Sequence, residues 1–257
     1  MPMKINRLTA IRQHLYAHGA TPITALAIAV DASLATLRRD LAALESDGVI
    51  ERIHGGARLA QGANIELAFE QRERTSFTEK RQIGALAFSL LRPNTTIFLD
   101  SGTTVLQLAR RLRLEPLPLT AVTNGLPVAT ELMHVPSVQV IVLGGELRRE
   151  NASIVGPHAE AQLDRMHFDQ LFIGAGAIGD DATIYTMNLA EAALNARMLA
   201  RSQQRVLLAD AGKFGHLSSH VVAPLAGVTD LIVDAELPAP WRRRVGELGV
   251  RLRLAGA

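Results

Sequence analysis

The chain of 257 residues is 48% hydrophobic and 20% charged, the balance of a folded globular protein rather than a disordered one. It contains no cysteine, which excludes a disulfide framework, thiolate metal ligation and thiol catalysis. The formal net charge of +2 has a location: residues 1–60 hold seven Lys/Arg against five Asp/Glu, and the remainder holds 20 against 20.

The opening MPMKINRLTA has no apolar signal region, and no apolar run approaches the ~20 residues of a membrane span. A cytoplasmic protein without membrane contact is expected. Arginine is the default cation, with 24 copies against three lysines at Lys4, Lys80 and Lys213.

In the first 60 residues, Ile5, Leu8, Ile11, Arg12 and Leu15 recur at three- and four-residue spacing and predict a helix ending before Gly19. Pro22 suits the first turn of a second helix over ITALAIAV, followed by a turn at Asp31 and Ala32. Ser33 is a good N-cap for a third helix, LATLRRDLAALESD, stopped by Gly48. At 100° per residue Leu34, Leu37, Leu41 and Leu44 share one face and are expected to pack inward. Ala35, Thr36, Arg38, Arg39 and Ala42 cover the other faces, a surface able to approach a duplex closely. Asp40 is expected to make a local salt bridge. VIERIHGGARL then reads as a small hairpin with a turn at Gly55-Gly56, carrying Arg52, His54 and Arg58. Three short helices and a basic hairpin predict a winged helix-turn-helix over residues 1–58 that binds double-stranded DNA through Ser33, Thr36, Arg38, Arg39, Arg52 and His54.

Residues 59–77 read as a polar linker with a short helix over 65–72. S-F-T-E at Ser76 offers a capping box to the helix EKRQIGALAFSLL. From residue 78 to 257 strand and helix alternate. TTIFLD, LTAVTN, VQVIVLGG, DQLFIGAG, RVLLAD and DLIVD are apolar runs separated by amphipathic segments, and they predict an α/β domain built on a parallel sheet.

Ligands of such sheets sit outside the carboxyl ends of the strands. The residues there are small, polar or singly charged: Asp100-Ser101-Gly102-Thr103-Thr104, Thr123-Asn124-Gly125, Gly144-Gly145-Glu146, Gly174-Ala175-Gly176 and Asp210 to Lys213. DSGTT precedes a helix, so its free amides and hydroxyls form a cradle for an anion, most simply a phosphate. Gly174, Gly176 and Gly179 spell G-x-G-x-x-G, but DDATIYTMN follows where a helix must open, so a dinucleotide site is not expected. His216 and His220 lack a third ligand, and neither metal nor cofactor is expected.

The amino-terminal segment ASLATLRRDLAALESDGVIERIHGGARL resembles the DNA-binding signature of the DeoR/GlpR family of bacterial transcriptional regulators. It departs from that pattern at Ala25 and Ala32, which affects packing more than contacts. FLDSGTT, VTN, LGGELR, SIVGP, FIGAGAI and LLADAGKFG resemble, in order, the family's effector domain, a Rossmann-like fold related to ribose-5-phosphate isomerase. The resemblance implies a repressor of a sugar-catabolism operon, dimeric or tetrameric, relieved by a phosphorylated sugar. It implies that Ser101, Gly102, Thr103 and Thr104 take the phosphate. Asp100, Thr123, Asn124, Gly144, Gly145, Gly174, Gly176, Glu191 and Lys213 would surround the sugar or support its loops. The rival is a sugar-phosphate isomerase with an accessory DNA-binding domain. Against it, the isomerases carry acidic residues where this chain has Gly174-Ala175-Gly176-Ala177, and no catalytic residue is expected.

Overall fold

The structure, a computed structural model, describes residues 2–46, 49–53, 55–60, 69 and 71–256. The chain divides into two compact units, Met1–Arg72 and Glu73–Ala257. Among the described residues no helix is long and apolar enough to cross a membrane.

The first unit contains α1 (Pro2–His18), β1 (Thr21–Pro22), α2 (Ile23–Ala29), α3 (Leu34–Ser46), β2 (Ile50–Ile53) and β3 (Gly56–Leu59). Gly19 ends α1 in the left-handed region at φ +70, with its amide on the Leu15 carbonyl. The turn into α3 places Asp31 at φ +47, a conformation aspartate tolerates better than most residues. Ser33 caps α3 as expected: its Oγ accepts the Thr36 amide at 3.2 Å. The wing is an antiparallel three-stranded sheet of order β1-β3-β2. Ile11, Leu15, Leu26, Leu37, Leu41, Leu44, Ile50 and Leu59 form one buried core, each contributing roughly 1.5–3 kcal/mol on burial.

Two expectations change here. Leu34 does not join its stripe: it is 41% exposed, whereas Leu37, Leu41 and Leu44 are at 0%, 1% and 4%. The core ends before the first turn of α3, so periodicity carried the stripe one turn too far. Asp40 is not at a local ion pair but is buried, its Oδ2 2.6 Å from Arg7 Nε on α1. A buried carboxylate needs such a partner, and this one ties α1 to α3. His54, Gly48 and most of the short helix read over 65–72 lie outside the described residues; residues 69, 71 and 72 are helical.

The second unit is built on β4 (Thr96–Leu99), β5 (Leu119–Thr123), β6 (Val138–Val142), β9 (Phe168–Gly174), β12 (Ser202–Leu208), β14 (Asp230–Asp234) and β15 (Arg251–Ala255). They form one seven-stranded sheet of order β15-β14-β12-β9-β4-β5-β6, parallel at every pairing. The helices α4 (Phe77–Phe88), α5 (Thr103–Leu114), α6 (Leu126–Leu132), α7 (Pro157–Leu163), α8 (Leu189–Ala200) and α9 (Ala239–Glu247) connect and cover it. Two small antiparallel units sit beside it: the hairpin β7 (Glu146–Arg148) with β8 (Ser153–Val155), and a sheet of β10 (Ala177–Ile178), β11 (Thr183–Thr186) and β13 (His220–Pro224) in the order β10-β11-β13.

All six strands read from the apolar runs are present. The seventh, β15, was not anticipated, because its alternating Arg-Leu-Arg-Leu belongs to an edge strand. There Arg251 and Arg253 pair with the buried Asp230 at 2.9 and 3.2 Å. The expected capping box at Ser76 is absent: Ser76 adopts φ 51, ψ 41 and its side chain caps nothing. Trp241 anchors α9 through an edge contact with Phe214, ring centroids 5.1 Å apart.

Candidate functional sites: a winged helix and a sheet-end crevice

At the cap and first two turns of α3, Ser33, Leu34, Ala35, Arg38 and Arg39 are exposed and Thr36 is half-buried; Ala42, Glu45 and Ser46 are exposed farther along. Ser33 Oγ and Thr36 Oγ1 are 2.9 Å apart and occupy one another. Neither Arg38 nor Arg39 has an ion-pair partner among the described residues, so both guanidinium groups are available to a phosphate or a base edge. Arg52 on β2 is engaged: it donates to the Arg38 carbonyl at 3.0 Å and pairs with Glu45 at 3.1 Å. It braces the wing against α3. Arg58 likewise pairs across the hairpin with Glu51 at 2.8 Å.

In the sheet, β4, β5 and β6 run outward one way and β9, β12, β14 and β15 the other. The topological switch point therefore falls between β4 and β9, where a crevice opens at the carboxyl ends of strands. The predicted site segments follow β12, β9, β4, β5 and β6, five strands contiguous in the sheet. Tertiary structure thus brings all five loops to one rim.

At the switch point Asp100 bridges the two central strands. It is 4% exposed, accepts the Gly174 amide on Oδ2 at 3.1 Å, and lies 3.4 Å from Ser101 Oγ. Burial first, then the charge of Glu191, pushes its carboxyl from an ordinary value near 3.8 up to about 6; hydrogen bonds from the Gly174 amide and Ser101 oppose the rise. A carboxyl whose pKa is higher folded than unfolded binds its proton more tightly in the folded state, so stability falls as pH rises from about 4 to about 6. Asp100→Asn removes that loss, by roughly 3 kcal/mol at most. Melting curves of both proteins across this window are expected to diverge in favour of the variant; a constant difference would show that Asp100 does not titrate there.

Helix α5 begins directly after Gly102, and no side chain caps it. Its first internal bond is Leu106 N to the Gly102 carbonyl at 2.9 Å, which leaves the amides of Thr103, Thr104 and Val105 without intrahelical partners. Ser101 and Thr104 are buried and Thr103 is half-buried, so Thr103 is the accessible hydroxyl of the cradle. Gly125 holds the β5 loop against the β4 loop: a Cβ there would stand 2.8 Å from Ser101 Cα. Thr123 is fully buried and spends both capacities on the backbone, donating to the Leu99 carbonyl at 2.6 Å and accepting the Gly125 amide at 3.0 Å. Asn124 is 1% exposed and its Oδ1 has no partner among the described residues.

The remaining predicted residues divide. Lys213 is half-buried in the turn after β12, with no ion-pair partner among the described residues. Gly144 and Gly145 are exposed beyond β6, at the sheet edge, and the Gln162 amide brackets the Gly144 backbone at 3.1 and 3.0 Å. At Gly176 a Cβ would meet the Tyr185 carbonyl at 2.8 Å, so this glycine admits β11. At Gly174 a Cβ would find only ordinary contacts, with Asp100 Oδ2 at 3.5 Å. β9 runs into β10, with no helix opening at these glycines.

Glu191 sits in the first turn of α8 and is the most heavily bonded group of the rim. Its Oε2 accepts from Arg148 at 2.7 Å and from Thr186 Oγ1 at 2.6 Å, and its Oε1 from Asn151 at 3.0 Å. Asn151 in turn reaches Ser101 Oγ at 3.5 Å and accepts from Ser153 Oγ at 2.6 Å. Glu191 therefore clasps the β7–β8 hairpin to α8 and β11 beside the cradle. Asn151 and Ser153 were not foreseen, because no spacing rule connects a hairpin to a helix 40 residues away; nor was Thr186, whose strand β11 lies in a short irregular pairing beside the main sheet. Among the described residues no group of three His, Asp or Glu side chains could hold a metal ion.

Comparison with known proteins agrees with both units. The family model of the DeoR-like helix-turn-helix domain matches residues 7–62, and that of the DeoR C terminal sensor domain matches residues 75–235. The HTH-type transcriptional repressor CsqR of Escherichia coli K12 is 33% identical over 258 residues, covering 98% of each chain. The HTH-type transcriptional regulator GlpR of Haloferax volcanii is 35% identical over 218 residues, 85% of each chain. The lactose phosphotransferase system repressor of Lactococcus lactis is 33% identical over 236 residues, 91% of this chain and 92% of that one. Among solved structures, ribose 5-phosphate isomerase A from Methanocaldococcus jannaschii matches with a TM-score of 0.39 and 16% identity over 54% of this chain and 55% of that one. The full-length relatives are transcriptional regulators rather than enzymes, and with both family models in register the chain belongs to the DeoR family of helix-turn-helix transcriptional regulators.

Proposed function

We propose that this protein represses a sugar-utilisation operon and releases it when a phosphorylated sugar enters the crevice between β4 and β9. The observation that carries the reading is the uncapped amino terminus of α5 at the switch point, whose free amides and partial positive charge suit a phosphate. Thr103 adds its hydroxyl, the buried Ser101 holds the floor of the cradle, Lys213 supplies a cation, and Asn124 and the Glu191 clasp flank the sugar. The relative named as a lactose phosphotransferase system repressor supports the metabolic assignment. Arg38, Arg39 and Thr36 hold the operator, with Ser33 capping the helix and Arg52 on the wing. Two recognition helices of a dimer or tetramer would meet half-sites roughly 34 Å apart, or a multiple of it.

The ligand must favour the weakly binding arrangement of subunits, since equal affinity for both arrangements shifts nothing. A thermal-shift panel of sugar phosphates beside their unphosphorylated parents tests the pocket. A ligand at 100 times its dissociation constant adds about 2.7 kcal/mol of stability. One sugar phosphate is expected to raise the melting temperature while its parent does not. Stabilisation by free sugars alone would remove the phosphate cradle from the reading.

A further inference from the structure

The geometry points to Leu34 as a base-reading residue that selects thymine through its methyl group. Its location is the first observation. Leu34 is the first residue of α3, directly after the capping Ser33, and amino-terminal residues of a recognition helix are those that meet base edges. Its exposure is the second. The other leucines of the same stripe are buried, but Leu34 is 41% exposed and stands apart from the core that they build.

A single exposed leucine is ordinary on most surfaces. Here it projects from the helix that carries Arg38 and Arg39 unpaired, one turn ahead of Arg38, with the small Ala35 and the mutually bonded Ser33 and Thr36 next to it in sequence. The hydroxyls of Ser33 and Thr36 are thus engaged with one another, and Leu34 and Ala35 give the start of the helix an apolar surface ahead of Arg38. The major-groove edge of DNA presents one apolar feature, the C5 methyl of thymine. A carboxamide in its place could not make that contact, and a core leucine would not be free to make it.

This inference rests on the DNA-binding role of the winged helix and is independent of the effector. The test uses the full chain without effector and duplexes enriched by it from a random-sequence library. Each thymine of the enriched duplex is replaced in turn by uracil, which removes only the methyl. At one position per half-site the wild-type protein is expected to lose about fourfold in affinity, the equivalent of one buried methyl. Leu34→Ala is expected to show no loss at that position. Leu34→Gln, which keeps good helix propensity, is expected to shift the preferred base there from thymine towards adenine, whose N6 and N7 a glutamine can bond. Because residue 34 lies outside the core, both variants are expected to melt within about 2 °C of wild type, as surface substitutions do. An enriched sequence whose base preferences and uracil sensitivities are the same in all three proteins would overturn the inference alone. No enrichment of any sequence would overturn the operator-reading role of the winged helix with it.

Discussion

Arg39→Ala is expected to weaken operator binding by about 1–3 kcal/mol per recognition helix, a loss of roughly five- to 150-fold. Arg39 is exposed on α3 and has no ion pair among the described residues to give up, so its guanidinium meets DNA at little cost. Leu37 and Leu41 on the same helix remain buried beneath it, so the fold of the unit is not at stake. Fluorescence anisotropy on operator and random duplexes over a range of salt also separates the two possible roles. If Arg39 holds a phosphate, affinity falls alike on all sequences and the salt slope drops by about one. If it forks onto a guanine, the loss is confined to the operator. Unchanged affinity on both duplexes would remove Arg39 from the interface. Arg52→Ala offers a contrast, because Arg52 is bonded to the Arg38 carbonyl and paired with Glu45.

Gly125→Ala is the corresponding change in the sensor unit. The new methyl would stand 2.8 Å from Ser101 Cα and 3.0 Å from Ser101 Cβ, distances that cannot persist. Ser101 is buried and Gly125 is tied to Thr123 Oγ1, so relief requires the β4 and β5 loops to part at the mouth of the cradle. Overpacking of this kind costs about 1–3 kcal/mol. The expected result is a lower melting temperature of the sensor unit together with at least a tenfold loss in affinity for the sugar phosphate, measured by calorimetry. Operator binding without effector is expected to stay near wild type below the transition. A variant that binds effector as wild type does would place the ligand away from Ser101 and Gly125.

Local chemistry is what the sequence states most plainly. The serine cap of α3, the glycine after α1, the hairpin of the wing and the six apolar strands all depend on residues within a few positions of one another, and all are present. DDATIYTMN carries no helix start, and β10 follows β9 there. Local signals failed at two helix starts. Ser76 has the right partner for a capping box yet takes a left-handed conformation, and Leu34 has the right period yet lies beyond the core.

The candidate crevice shows the same division. That strands end in small polar segments could be read from the chain, but not which strands would be neighbours. The order β12-β9-β4-β5 sets Asp100 against Gly174, and with it the crevice at the reversal of strand order. Nor does any spacing announce that Arg148 and Asn151 meet Glu191, or that Arg7 meets Asp40. The sequence by itself determined the helices and six central strands, the family and the chemical character of each loop, because caps, turns and apolar runs act over a few residues. The tertiary structure alone decided which loops share a rim and which charges are already paired. Those outcomes depend on long-range strand pairing and on the requirement that a buried charge find a partner wherever the fold supplies one.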